Sequence, residues 1–147
     1  MPSPNDLRYA VTILQPWVDL ILAGRKTYEF RPWRPRKFKE GDRFAIHEAG
    51  RGIVAIATFS YVAESLWHWN INGIFDQPGA PSRREFNAAL EDPKKRPILA
   101  WRLAHVTPLL PIVTCMGSQG VWKVPDELLP QIEQRLEVAE SLGGQPK

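Results

Sequence analysis

The sequence predicts one α+β domain in which a small, mixed and strongly bent β-sheet or barrel carries flanking helices. Five or six short segments have the hydrophobic pattern of strands, and helical patterns occur early, in the middle and at the end of the chain. The length of 147 residues, 44% of them hydrophobic, is enough for one buried core. A sheet this small buries its apolar face by bending or closing on itself, and helices cover what stays open.

The ends and the cellular setting follow from what the sequence contains. We expect flexible ends at residues 1–7 and 143–147 and a single domain over residues 8–142. The N-terminal residues lack the charged-then-apolar pattern of an export signal, and no run approaches the roughly 18 apolar residues of a membrane span. The one cysteine, Cys115, excludes an intramolecular disulfide and fits a reducing compartment. We therefore expect a cytoplasmic protein without membrane contact.

The first elements are a strand over residues 8–14, a short helix and a strand over residues 27–31. Pro16 suits the first turn of the helix, because its missing N–H would have no partner there. Gly24 ends the helix, since glycine adopts positive φ without strain.

The strand over residues 27–31 carries polar residues at every second position. Thr27, Glu29 and Arg31 point to one side of it, and Lys26 precedes it in the turn. A strand usually hides one face, so this pattern indicates either a solvated rim or a polar pocket. Glu29 and Arg31 could also neutralise each other as a same-face ion pair.

The second half supplies the remaining strands and helices. Residues 53–62 are apolar on both faces, as in a central strand. Ser82 and Glu85 have the spacing of a capping box, which predicts a helix to about Glu91. Further strands are predicted over residues 43–48, 98–107 and 120–124, and a turn or short helix over residues 67–74. A C-terminal helix starts at Asp126 or Pro130, with an apolar stripe made of Leu128, Ile132, Leu136 and Ala139.

Positive charge is concentrated between residues 25 and 39. This stretch has seven cations against one anion, and aromatic residues are interleaved with them. Cations bind phosphates and aromatic rings stack on bases, so the composition favours a nucleic-acid or nucleotide ligand. A solvated loop is the alternative. The phosphate-binding candidates are Arg34, Arg36, Lys37 and Lys39.

Several motifs together resemble a known family. The helix QPWVDLILAG leads into G-x-K-x-x-E-x-R, in which Gly24, Lys26, Glu29 and Arg31 are the defined positions, and Trp33 follows. A Gly-Asp pair enters a strand ending in Ile-His, and GSQGVWKV closes the similarity, which covers roughly residues 8–125. The chain resembles an ASCH domain, a member of the PUA-like superfamily of small mixed β-barrels associated with RNA.

The resemblance implies a cleft between the barrel and the first helix. Lys26, Glu29 and Arg31 would form its polar wall. Gln15 and Trp17 would lie at the rim of the cleft, and Ser118 and Gln119 would lie on the loop that faces it. We add His47, on the polar face of its strand, and Trp33, which can stack on a base. A carboxylate and a guanidinium offer acceptors and donors to a base edge. The predicted function is therefore binding of RNA or of a modified nucleoside.

Two other functions remain open. Some ASCH-like proteins are acetylcytidine amidohydrolases, in which a lysine activates a threonine three residues later and a glutamate assists; others resemble ribonucleases. Here the third position after Lys26 is Glu29, and Thr27 is adjacent, so a hydrolase would use Lys26 and Glu29, with Thr27 as an alternative nucleophile. A protein-interaction module that uses its acidic C-terminal helix is the third function. No cofactor is implied, and the histidines lack metal-ligand spacing.

Overall fold

The computed structural model describes residues 6–142, which form a curled, six-stranded half-barrel with flanking helices. The strands lie in the order β2-β5-β4-β3-β1-β6. The strands are β1 (Tyr9–Ile13), β2 (Tyr28–Arg31), β3 (Arg43–Glu48), β4 (Gly52–Ala63), β5 (Leu99–Thr114) and β6 (Val121–Lys123). The α-helices are α1 (Trp17–Leu22), α2 (Leu66–Ile71), α3 (Arg83–Glu91) and α4 (Leu129–Leu142), with 3-10 turns at Ile74–Asp76 and Asp126–Leu128. The predicted α+β class is confirmed.

The sheet is mixed and bent. β1 pairs with β3 in parallel, and every other pairing between neighbours is antiparallel. The two longest strands, β4 and β5, shift register at three places along their shared ladder. Register irregularities of this kind increase local twist and bend a strand. They account for the curling that leaves β2 and β6 as the two edges.

Each helix covers a defined part of the sheet. The inside of the half-barrel is filled by an aromatic-rich cluster that includes Phe44 and Trp101. α4 packs Ile132 and Leu136 against the sheet, as its predicted stripe requires. Trp69 of α2 joins a separate small core with α3.

One strand is longer than the sequence predicts. β5 continues to Thr114, although Pro108 and Pro111 interrupt its pattern. β2 pairs with β5 only at Leu99–Arg102, so beyond that stretch β5 has a neighbour on one side only. Proline is tolerated at such an edge because no ladder bond is lost.

The chain ends add two further observations. Leu7 is buried, and Asp6 forms an ion pair of 2.8 Å with Arg43. Residues 1–5 and 143–147, which belong to the ends predicted to be flexible, lie outside the described residues. Within residues 6–142, no helix is both long enough and apolar enough to cross a membrane.

Candidate functional site

The site begins where α1 connects β1 to β2. Gly24 has φ of 76°, which lets the chain reverse direction directly after the helix. The amides of Arg25 and Lys26 both donate to the carbonyl of Leu20, and this fixes the turn. The charged residues of β2 are thereby brought opposite the end of β1.

Glu29 and Arg31 of β2 form an ion pair that reaches β1. Arg31 Nε lies 2.9 Å and Nη2 lies 2.7 Å from Glu29 Oε2, and Nη2 also donates to the carbonyl of Thr12 at 3.0 Å. In the sheet order β2 and β1 are separated by three other strands, so this contact crosses the open seam of the half-barrel. Both side chains are largely buried. The guanidinium lies 5.7 Å from the ring centre of Trp33.

The Thr12 hydroxyl continues this chain of contacts. It donates to the carbonyl of Ser118, accepts from Nε1 of Trp122 at 2.9 Å, and lies 3.0 Å from Nδ1 of His47. A hydroxyl has one hydrogen and two lone pairs, so Nδ1 of His47 must be the donor in the third contact. With all three positions used, the hydroxyl is not free to act as a nucleophile. It holds the loop 117–119 against the sheet.

Gly117 allows that loop to approach closely. A Cβ at this position would lie 2.5 Å from Cζ2 of Trp122 and 2.7 Å from Cε1 of His47. Any larger residue would push the loop away from both rings.

A cavity of about 480 Å³ lies beside the loop. This volume is within the range of roughly 300–1,000 Å³ that is typical of small-molecule sites. The cavity is lined by Thr12, His47, Ala49, Gly50, Arg51, Thr114, Cys115, Met116, Gly117, Ser118 and Gln119. Arg51 is held by Glu48 at 3.0 Å, and burial raises the pKa of the Cys115 thiol, which disfavours the thiolate.

Lys26 does not line the cavity and lies in a separate, buried position. Its side chain is buried, and Nζ donates to the carbonyl of Pro78 at 2.8 Å. Nζ is 4.6 Å from the ring centre of Phe30 and 5.3 Å from that of Trp17. Burial lowers the pKa of Lys26 to about 8, while the Glu29 charge opposes this shift and the Arg31 charge adds to it.

The residues predicted for the cleft therefore fall into two linked groups. His47, Ser118 and Gln119 line the cavity. The buried cluster of Lys26, Glu29 and Arg31 does not line it, and the link between the groups is the contact of Arg31 with Thr12.

The other predicted site residues lie around these two groups. Gln15 is exposed and exchanges hydrogen bonds with Asp19 of α1. Trp17 covers Lys26. The amide of Thr27 donates to Oε1 of Gln77 at 2.8 Å.

The loop that carries Arg34, Arg36, Lys37 and Lys39, called the basic loop below, lies on the surface. Arg34 forms an exposed ion pair with Glu64. Arg36, Lys37 and Lys39 are exposed, and none of the three has an ion pair within residues 6–142.

Sequence reasoning missed Thr12, Arg51 and the segment 77–79. Thr12 left a signal, because it is the polar residue of an otherwise apolar strand. Segment 77–79 contacts Lys26 and Thr27 across about fifty residues of chain. No local pattern in the sequence indicates this tertiary contact. No group of three His, Cys, Asp or Glu side chains within residues 6–142 is arranged to hold a metal ion.

Comparison with known proteins decides the family. A family model described as the ASCH domain matches residues 11–110, which is more than half of the chain. The chain belongs to the ASCH domain family. The match includes the Lys26–Glu29–Arg31 cluster and His47, and the loop 117–119 lies beyond it.

Solved structures of ASCH from Zymomonas mobilis and of its mutants have a similar fold. ASCH from Zymomonas mobilis is 15% identical with a TM-score of 0.62, covering 86% of this chain and 93% of its own. A serine-to-alanine mutant of that protein has a TM-score of 0.64 at 15% identity, covering 90% of this chain and 98% of its own. At this identity the likeness shows the fold alone. No curated protein matches the chain.

Proposed function

We propose that this ASCH domain binds a nucleoside, free or within single-stranded RNA, in the cavity beside the loop 117–119. The observation that carries the proposal is the way two sets of contacts meet at Thr12. Arg31, which is paired with Glu29, donates to the Thr12 carbonyl, and the Thr12 hydroxyl contacts His47 and Ser118. These contacts fix the polar lining residues Thr12, His47 and Ser118 before the ligand arrives, which reduces the entropy cost of binding.

The lining of the cavity suits a base edge. The Gln119 amide can donate and accept, and the Arg51 guanidinium donates only. Met116, which is 94% exposed, offers a polarisable apolar surface to the face of a base. RNA-binding proteins recognise unstacked bases by this combination of edge hydrogen bonds and face contacts. The exposed basic loop would hold the phosphates of a longer RNA.

Calorimetric titration with nucleosides and short single-stranded RNA tests the proposal. We expect Gln119→Ala and Arg51→Met to weaken nucleoside binding at least fivefold, because each removes a donor from the cavity. Arg84→Ala, which removes an exposed cation on α3, is the matched control and should bind like the wild type. Equal affinity in all variants, or no binding by the wild type, would contradict the proposal.

A small hydrolase is the second candidate, and Lys26 is the observation in its favour. A buried lysine whose pKa is about 8 and which lies near a carboxylate can exchange protons near neutral pH. Incubation with acetylcytidine and with mixed single-stranded RNA, followed by mass spectrometry, tests it. Product that forms with the wild type and is lost in Lys26→Met would establish an enzyme, and absence of product from either substrate would reject these two reactions.

A further inference from the structure

The segment 77–79 occupies the space beside Lys26. The carbonyl of Pro78 accepts from Nζ, and Oε1 of Gln77 accepts from the amide of Thr27 at 2.8 Å and lies 3.4 Å from its hydroxyl. Gly79 lies against the indole of Trp17, since a Cβ there would be 3.3 Å from the ring. Lys26, which is only 2% exposed, is closed off from solvent.

The place that this segment occupies has the chemistry of a ligand subsite. A cationic donor lies between two aromatic rings, those of Trp17 and Phe30, and its hydrogen bond is made to a carbonyl oxygen. A planar ring that carries an oxo group would offer the same acceptor, and its face would match the indole. Uracil, cytosine and guanine have such an oxo group, whereas adenine has none.

The segment lies between two anchors, and two local backbone hydrogen bonds, from the Gln77 amide to the Ile74 carbonyl and from the Ala80 amide to the Gln77 carbonyl, hold its first residue. On one side Ile74 is buried, and Phe75 packs on Trp69 and Phe86. On the other side the Ser82 capping box begins α3. Between them, the described hydrogen bonds from the segment to the site are those to Lys26 and Thr27. Gly79, at φ of 79°, has the left-handed conformation that glycine adopts without strain.

We infer that the segment 77–79 is an internal ligand of Lys26, and that a nucleobase bearing an oxo group gains access to Lys26 by displacing it. This inference rests on the proposed function and extends it, because it adds a second subsite and a preference among bases. The Pro78 carbonyl takes the place of the base carbonyl until the base arrives. The apparent affinity is therefore the intrinsic affinity multiplied by the fraction of molecules in which the segment is open.

Weakening the segment should therefore strengthen binding. Gln77→Ala removes the acceptor for the Thr27 amide and should raise the affinity for uridine about three- to tenfold. Gln77→Glu keeps an acceptor for the Thr27 amide, in a charge-assisted bond, and should not raise the affinity for uridine. Adenosine, which has no base carbonyl, should gain nothing from Gln77→Ala.

The second measurement is the rate at which Lys26 is acetylated by a water-soluble reagent, followed by peptide mass spectrometry. Without nucleoside we expect faster labelling of Lys26 in Gln77→Ala than in the wild type and Gln77→Glu, and uridine should suppress it. Pro78→Gly, which keeps the carbonyl but loosens the backbone, should act like Gln77→Ala and serves if that variant does not fold.

The outcomes separate the two hypotheses. If adenosine and uridine bind but Gln77→Ala and Pro78→Gly leave Lys26 labelling or uridine affinity unchanged or lower, the internal-ligand inference is wrong and the proposed function stands. If no nucleoside binds any variant, the proposed function fails, and the inference fails with it.

Discussion

The hydroxyl of a single residue, Thr12, connects the sheet to the loop 117–119. Thr12→Val should destabilise the domain by about 1–3 kcal/mol, because the Trp122 N–H, the His47 Nδ1 and the Ser118 carbonyl all lose a partner. Urea denaturation measures the change. Thr12→Ser keeps the hydroxyl and should lose much less. If the two variants were equally stable, the hydroxyl would not be the source of the effect.

Lys26 gives the domain a distinctive dependence on pH. Because its folded pKa is about 8 and its unfolded value is 10.5, the unfolded chain binds more protons between these values, and the free energy of unfolding rises with pH in that window. The size is about 1–3 kcal/mol. Urea denaturation from pH 7.5 to 9.5 should show a rise in the wild type relative to Lys26→Met. Parallel profiles would show that Lys26 titrates normally.

At the residue scale, the sequence could predict partners that lie close along one strand. The pairing of Glu29 with Arg31 follows from their two-residue spacing, and the structure confirms it. The partners of Thr12 lie 35, 106 and 110 residues away, so no local pattern contains them. The sequence also gives no indication that position 117 must be glycine, because the rings that exclude a larger residue belong to β3 and β6.

At the scale of elements, the seam between β2 and β1 is closed by side chains instead of a hydrogen-bonded ladder. Arg31→Met should cost about 2–4 kcal/mol, because it removes the guanidinium that is paired with buried Glu29 and leaves the Thr12 carbonyl without that donor. The double variant Glu29→Gln/Arg31→Met should recover part of this loss, since the carboxylate that lost its guanidinium partner is removed as well. A double-mutant cycle in urea measures the coupling.

The exposed pair Arg34–Glu64 is the matched control for that cycle. Both of its side chains are about half exposed, so Arg34→Met should cost well under about 1 kcal/mol. If Arg31→Met cost no more than Arg34→Met, the seam would not depend on the Glu29–Arg31 pair.

Element boundaries were predictable where local chemistry fixes them. The capping box at Ser82 starts α3 as expected, and Gly24 follows α1. The end of β5 was not predictable, because whether Pro108 can lie in a strand depends on whether another strand pairs on its far side. That condition belongs to the sheet order and cannot be read from the segment alone.

At the scale of the whole molecule, the fold follows from patterns that repeat along the chain. Alternating and apolar segments of strand length, with helices between them, leave few ways to bury a small sheet, so the α+β class was predictable. The bending arises from register shifts between β4 and β5. The sequence indicated the strands but not the register in which they pair. A bent sheet could therefore be predicted, whereas the positions of the seam and of the cavity could not.

Charge is also unevenly distributed over the molecule, and this distribution determines how strongly RNA binding should depend on salt concentration. The cations of the basic loop are exposed and, apart from Arg34, have no ion pair within residues 6–142, so they are available to phosphates. Each phosphate contact on a single strand releases about 0.7 of a counterion, and the plot of log binding constant against log salt steepens accordingly. If the loop holds RNA, replacing Arg36, Lys37 and Lys39 by glutamine should reduce that slope by about 2.

The chain offers a control with the same change in total charge. Lys94, Lys95 and Arg96 are three further exposed cations, in the connection between α3 and β5. Their replacement by glutamine lowers the net charge equally, so it reproduces any effect of long-range attraction and leaves the basic loop intact. A smaller slope in the loop variant alone would place the phosphates on the loop. Equal changes in both variants would mean that only the overall charge matters, and the phosphate-binding role of the loop would be rejected.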